Sequence, residues 1–72
     1  MTNSHNLSIT VNGKPETVLA GTTMAQLLDQ LELTGKRIAV ERNGEIVPKS
    51  QYRHAAINSN DAIEIVVAVG GG

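Results

Sequence analysis

Leu7-Ser8-Ile9-Thr10-Val11 alternates apolar and polar residues with a period of two, which predicts a strand with one buried face. Asn12-Gly13 follows and predicts a tight hairpin, because both central positions of a type I′ turn need positive φ. Glu16 to Leu19 reads as the returning strand. Lys14-Pro15 falls at the junction, where a residue without an N–H is tolerated at a strand start or a sheet edge. Met24, Leu27, Leu28 and Leu31 then recur at i, i+3, i+4 and i+7, one apolar stripe of a helix of about three turns. Gly21-Thr22-Thr23 ahead of it offers a hydroxyl N-cap, and Gly35 is expected to close it. Ile38 to Arg42 predicts a third strand, Asn43-Gly44 a second type I′ turn, and Glu45 to Pro48 a short fourth strand at a sheet edge. Lys49 to Asn60 reads as irregular or a single helical turn, with Asn58 to Asp61 as a polar turn. Ala62 to Val69 is the most apolar segment and predicts a central strand, covered on much of both faces.

These elements run ββαββ, a short segment, then β. One amphipathic helix cannot bury its stripe alone, nor cover both faces of a sheet. The expected fold is therefore α+β, a mixed five-stranded sheet wrapped across one helix. Ile9, Val11, Val18, Ile38, Val40, Ile63, Ile65 and Val67 are expected to face Met24, Leu27, Leu28 and Leu31. Residues 1–6 read as a loose arm, 7–69 as the domain, and 70–72 as a flexible tail.

Composition narrows the possible functions. A chain of 72 residues makes one small domain, which buries only ~60% of the surface its unfolded chain exposes. With 40% hydrophobic and 18% charged residues it reads as globular. Tyr52 is the only aromatic, so the core must be aliphatic. The formal net charge is -1, with basic residues spread along the sequence. That argues against a nucleic-acid-binding stripe. The absence of Cys excludes disulfides, thiolate metal sites and thiol nucleophiles. No apolar run approaches the ~20 residues of a membrane span, and the polar start lacks a signal-peptide pattern. An intracellular, cytoplasmic protein is expected. His5 and His54 stand apart from any carboxylate pair at ligand spacing, so no metal site is expected. Glu41, Glu45, Asp61 and Glu64 read as solvated or turn residues.

Chemistry concentrates at Gly70-Gly71-Gly72. Glycine runs at about 7% on average, so three at one chosen place arise by chance in roughly 0.03% of cases. Without Cβ atoms such a run can extend and pass through a narrow channel. Glu64, Val66 and Ala68 lie on the opposite face of the last strand from Ile63, Ile65 and Val67, and are candidates for docking a partner beside the tail. A carboxylate on Gly72 is ionised at neutral pH, and a bare carboxylate is a poor acyl donor. Attack on the α-phosphate of ATP would give it a leaving group as an acyl-adenylate. The chain has no GxxxxGK phosphate loop. ATP and magnesium must then belong to a partner enzyme, and this chain is expected to bind no cofactor and to catalyse nothing itself.

On these residues the chain resembles the ubiquitin-like β-grasp proteins, and within them the ThiS family of sulfur carriers of thiamine biosynthesis. The resemblance rests on Val11-Asn12-Gly13-Lys14, on Thr23 to Leu31, on Ile38-Ala39-Val40-Glu41 and on Asn43-Gly44-Glu45-Ile46-Val47-Pro48-Lys49-Ser50. It continues from Asp61-Ala62-Ile63-Glu64-Ile65 to the terminal glycines. It implies adenylation of Gly72 by a ThiF-like adenylyltransferase, sulfur supplied indirectly through a cysteine desulfurase relay, and a thiocarboxylate on Gly72. A ThiG-like thiazole synthase is the implied acceptor. The small subunit of molybdopterin synthase and ubiquitin-like modifiers share the tail and stay open as alternatives.

Overall fold

The computed structural model describes residues 5–68. Five strands, β1 (Asn6–Val11), β2 (Lys14–Leu19), β3 (Ile38–Arg42), β4 (Glu45–Val47) and β5 (Ala62–Val67), form one sheet. A single helix, α1 (Met24–Gln30), and a 3₁₀ turn at Lys49–Gln51 complete the body. The strand order is β2-β1-β5-β3-β4. β5 is thus central, and it pairs parallel with β1 and antiparallel with β3. This is the expected mixed sheet, with β2 and β4 at its edges.

Both Asn-Gly pairs form the turns their sequence predicts. Asn12 and Gly13 have φ of 52° and 81°, and Asn43 and Gly44 have 52° and 85°. Each asparagine also reaches β5, which the turn signal alone does not encode. Asn12 Oδ1 accepts from Ile65 N–H at 2.7 Å, and its Nδ2 donates to the Ile65 carbonyl at 3.1 Å. Asn43 Oδ1 accepts from Ala62 N–H at 2.9 Å, while its Nδ2 donates to Asp61 Oδ1 at 3.0 Å.

Ile9, Val11, Val18, Val40, Ile63 and Ile65 are buried against Met24, Leu27 and Leu28, as the alternation implies. Ile38 and Leu31 pack at the margin of this core. Ile57 is buried as well, at 3% exposure. It comes from the segment expected to be irregular, where no periodicity marked it. That segment runs under the helix start. Met24 and Ala25 N–H donate to the Ala55 and Tyr52 carbonyls, and Ile57 N–H donates to Thr22. Thr23 caps the helix in a reciprocal box with Gln26, so the first-turn donors are all paired.

Several boundaries differ from the sequence expectation. The helix has seven residues, about two turns rather than three. It does not wait for Gly35. Glu32 takes the left-handed conformation at φ 62°, and Leu33 and Glu32 N–H donate to the Leu28 and Asp29 carbonyls. This is a Schellman stop with glutamate at the position glycine usually fills. At the start, Asn6 pairs with Leu19 in the β1–β2 ladder, and the His5 carbonyl accepts from Ala20 N–H at 2.8 Å. The arm expected over residues 1–6 therefore yields its last two residues to the sheet. Lys14 and Pro15 lie within β2, and Pro48 falls just outside β4.

β5 is central but covered on one face only. A seven-residue helix spans about 10 Å, whereas a six-residue strand spans about 20 Å. The helix cannot roof the whole strand, and Val67, expected in the core, is 45% exposed.

Two stability measurements test these attachments. Asn12→Gly keeps the turn conformation but removes both bonds to Ile65, and should cost about 1–3 kcal/mol. Asn12→Ala should cost about 1 kcal/mol more, because it adds left-handed strain. Equal urea midpoints for wild type and Asn12→Gly would refute a structural role for the carboxamide. Glu32→Gly should stabilise the domain by about 0.5–1 kcal/mol by relieving the helix stop; an unchanged or lower midpoint would contradict that account.

Candidate functional site

β5 leads directly toward the three terminal glycines. Its last described rung is the Ala68 N–H, which donates to the Arg37 carbonyl at 2.9 Å. Gly70, Gly71 and Gly72, expected to form the reactive tail, lie outside the described residues. What the structure fixes is the root from which that segment leaves. Backbone ladders to β1 and β3 hold β5 on both sides, and the carboxamides of Asn12 and Asn43 add to them.

Glu64, Val66 and Ala68 are all exposed on the sheet face away from α1. Val66 is 65% exposed. Register extends this surface beyond the residues picked out by sequence. Ala39 pairs with Val66, Glu41 pairs with Glu64, and Ile46 pairs with Glu41. Ile46 is 68% exposed. Val66, Ala39 and Ile46 thus share one uncovered face with two carboxylates. Like charges directly opposite each other on a sheet are mildly unfavourable, which solvent on this face moderates. Ile46 could have been placed here by counting alternation outward from the Asn43-Gly44 hairpin.

A groove of about 670 Å³ opens beside the root of the tail. The loop after α1, the end of β3 and the 3₁₀ segment frame it, and Val66 and Ala68 also line it. Its floor includes Leu28, Leu33 and Tyr52, and its rim carries Lys36, Arg37, Lys49 and Arg53. Four of the six basic residues in the chain therefore meet here, although they are dispersed in sequence. Among the described residues, no acidic side chain lines the groove. Burial raises the Tyr52 phenol above its ordinary value of 10.0.

Asp61, expected to be a solvated turn residue, is buried at 5% exposure. Its carboxylate receives Arg42 Nε at 3.1 Å and the Asn58 N–H at 2.8 Å, besides the Asn43 amide. It ties the polar turn before β5 to the end of β3. The role is structural: breaking such a buried pair costs more than an exposed pair is worth. The pattern Arg42-Asn43-Gly44 gave no sign of a partner 18 residues away. His54 is exposed, and among the described residues no three His, Cys, Asp or Glu side chains gather as metal ligands.

The fold agrees with comparisons to known proteins. The ThiS family model matches residues 9–72, and the chain belongs to the ThiS family. The sulfur carrier protein ThiS of Bacillus subtilis is 44% identical over 50 residues, covering 69% of this chain and 76% of that protein. The crystal structure of the thiamine biosynthesis protein ThiS from Geobacter metallireducens superposes with a TM-score of 0.78 at 32% identity. That match covers 92% of this chain and all of the other. A thiazole synthase of Paramagnetospirillum magneticum is 42% identical over 66 residues, or 92% of this chain. This chain spans only 20% of that enzyme's length.

The Tyr52 environment has a measurable consequence. A raised folded-state pKa means that the folded protein holds the phenolic proton more tightly than the unfolded chain does. The stabilisation is complete below the unfolded value and is lost as pH rises through the folded one. Absorbance titration of the single tyrosine should give a native midpoint above that measured in urea. Coincident midpoints would show that the ring is not desolvated.

Proposed function

We propose that this chain is a sulfur carrier of thiamine biosynthesis, working through the carboxylate of Gly72. The observation that carries this reading is the family match over residues 9–72, which includes the glycine tail as well as the body. The geometry of β5 supports it, because pairing to β3 holds the strand as far as Ala68 and gives a side-chain-free arm a fixed base.

The chemistry follows from the poor reactivity of a carboxylate. A Gly72 oxygen attacks the α-phosphate of ATP, the bond to pyrophosphate breaks, and pyrophosphate leaves with the partner's magnesium. A protein persulfide then attacks the acyl carbon through its outer sulfur and AMP departs, leaving an acyl disulfide. A partner's thiol attacks the inner sulfur of that bond, forms a disulfide with it and releases the thiocarboxylate. Placement and charge stabilisation for the first step come from the adenylyltransferase. Sulfur reaches that enzyme through a cysteine desulfurase relay.

The acceptor is a thiazole synthase. Thiazole synthases of Paramagnetospirillum magneticum and Magnetococcus marinus contain stretches 42% and 38% identical to this chain within one longer polypeptide. Covalent linkage of a carrier to its acceptor raises their effective concentration, which makes a separate carrier and synthase natural partners. Glu64, Val66 and Ala68 belong to the surface those enzymes grip while the tail is threaded. The reaction takes place in the cytoplasm.

Intact-mass measurement tests this directly. With a cognate adenylyltransferase, ATP, magnesium and a sulfur donor, the mass should rise by the difference between one sulfur and one oxygen. Deleting Gly72 should abolish the change while leaving the urea midpoint within about 0.5 kcal/mol of wild type. Conjugates on lysine without the sulfur adduct would overturn the proposal in favour of a protein modifier.

A further inference from the structure

The cationic groove is not required by the tail chemistry, yet it sits beside the tail root. Lys36, Arg37, Lys49 and Arg53 surround a floor that includes Leu33 and Tyr52. Among the described residues the only ion pair is Arg42–Asp61, which is not part of this rim. The four cations therefore face a partly apolar groove with no acidic side chain among its described lining residues. In a chain of net charge -1, this is a local excess of positive charge that folding creates.

The groove also contains an open strand edge. β4 pairs with β3 only from Val40 to Arg42. The ladder ends there, because the chain turns into the 3₁₀ segment at Lys49. Ile38, which lines the groove, lies beyond that ladder, and the alternation of β3 turns its backbone N–H and C=O away from β5. An extended segment can add at such an edge, with apolar side chains on the floor and carboxylates against the rim.

We propose that this groove is the docking site for an extended acidic segment of the ATP-dependent enzyme that activates the tail. The proposal rests on the sulfur-carrier reading and adds the surface and the partner chemistry. Charge complementarity selects an acidic occupant. Continuity with the tail root, through the Ala68 to Arg37 hydrogen bond, selects the enzyme that must hold the tail. Opposite charges at the groove speed encounter and fix the register in which the glycines enter the active site.

The test is ATP–pyrophosphate exchange by the cognate adenylyltransferase, with the full chain as variable substrate. The double variant Lys36→Glu/Arg53→Glu should raise KM for the chain about tenfold or more, with kcat unchanged. The difference should shrink as salt is added. Lys36→Gln/Arg53→Gln should shift KM in the same direction by less. Lys14→Glu, on the opposite edge strand, should match wild type. Carbodiimide cross-linking of the wild-type complex should join Lys36 or Lys49 to carboxylates of one stretch of the enzyme.

An unchanged KM in both double variants would overturn the proposal while leaving the sulfur-carrier reading intact. So would an equal shift for Lys14→Glu, or cross-links only through Lys14. Quenching of Tyr52 fluorescence by ATP without the enzyme would make the groove a nucleotide site instead. A wild-type chain that supports no exchange at all would refute the sulfur-carrier reading, and this proposal with it.

Discussion

The fold depends on how β5 is held. Its parallel ladder to β1 contains two residue pairs, Thr10 with Ala62 and Val11 with Ile63. That is little pairing for the central joint of a sheet. The Asn12 side chain lengthens it. A carboxamide carries the same donor and acceptor as a peptide unit, and it meets the Ile65 N–H and carbonyl as another strand residue would. On the other side Asn43 and Asp61 secure the first residues of β5. The two hairpins are thereby joined across the central strand, the one that precedes the terminal glycines in the sequence.

A second constraint follows from having one short helix. α1 covers a single sheet face and only part of its length, so the core closes with residues from elsewhere. Ile57 arrives from the connecting segment, whose backbone also satisfies the first N–H groups of the helix. The other face of the sheet stays open, and Val67 at the end of β5 stays partly exposed. In an enzyme that would waste apolar surface. In a protein that is handled by other proteins, as proposed above, it leaves contact area beside the tail root.

Much of this architecture was legible because it rests on short-range signals. Period-two alternation located the strands, the 3.6 periodicity located the helix stripe, and Asn-Gly located both turns. The features that escaped share one cause, which is dependence on partners distant in sequence. Asp61 looked like one more turn acid, and only the fold brings Arg42 beside it. Ile57 stood alone in a polar stretch, and only tertiary contact buries it. Glu32 ends the helix because Leu33 turns back to Leu28, a choice that favoured packing over the intrinsic preference for Gly35. Val67 continued an apolar run whose covering helix stops short. The glycine tail was the reverse case. Its meaning came from composition and resemblance, and the described structure contributes its root rather than its path.

Charge shows most plainly what a linear reading leaves out. Six basic residues spread along the sequence gave no stripe. Lys36 and Arg37 precede β3, whereas Lys49 and Arg53 follow β4. The β3–β4 hairpin folds these two stretches back onto each other, so the four cations converge at one end of the sheet. Net charge is conserved on folding, but its distribution is not, and partners respond to the distribution. A carrier that must be released after each transfer benefits from recognition that relies on screened surface charge more than on deep burial, because steering raises the encounter rate without a matching cost in dissociation. In the docking proposed above, the ladder to β3 sets where the tail root lies, and the charged groove beside it sets how the whole body is presented.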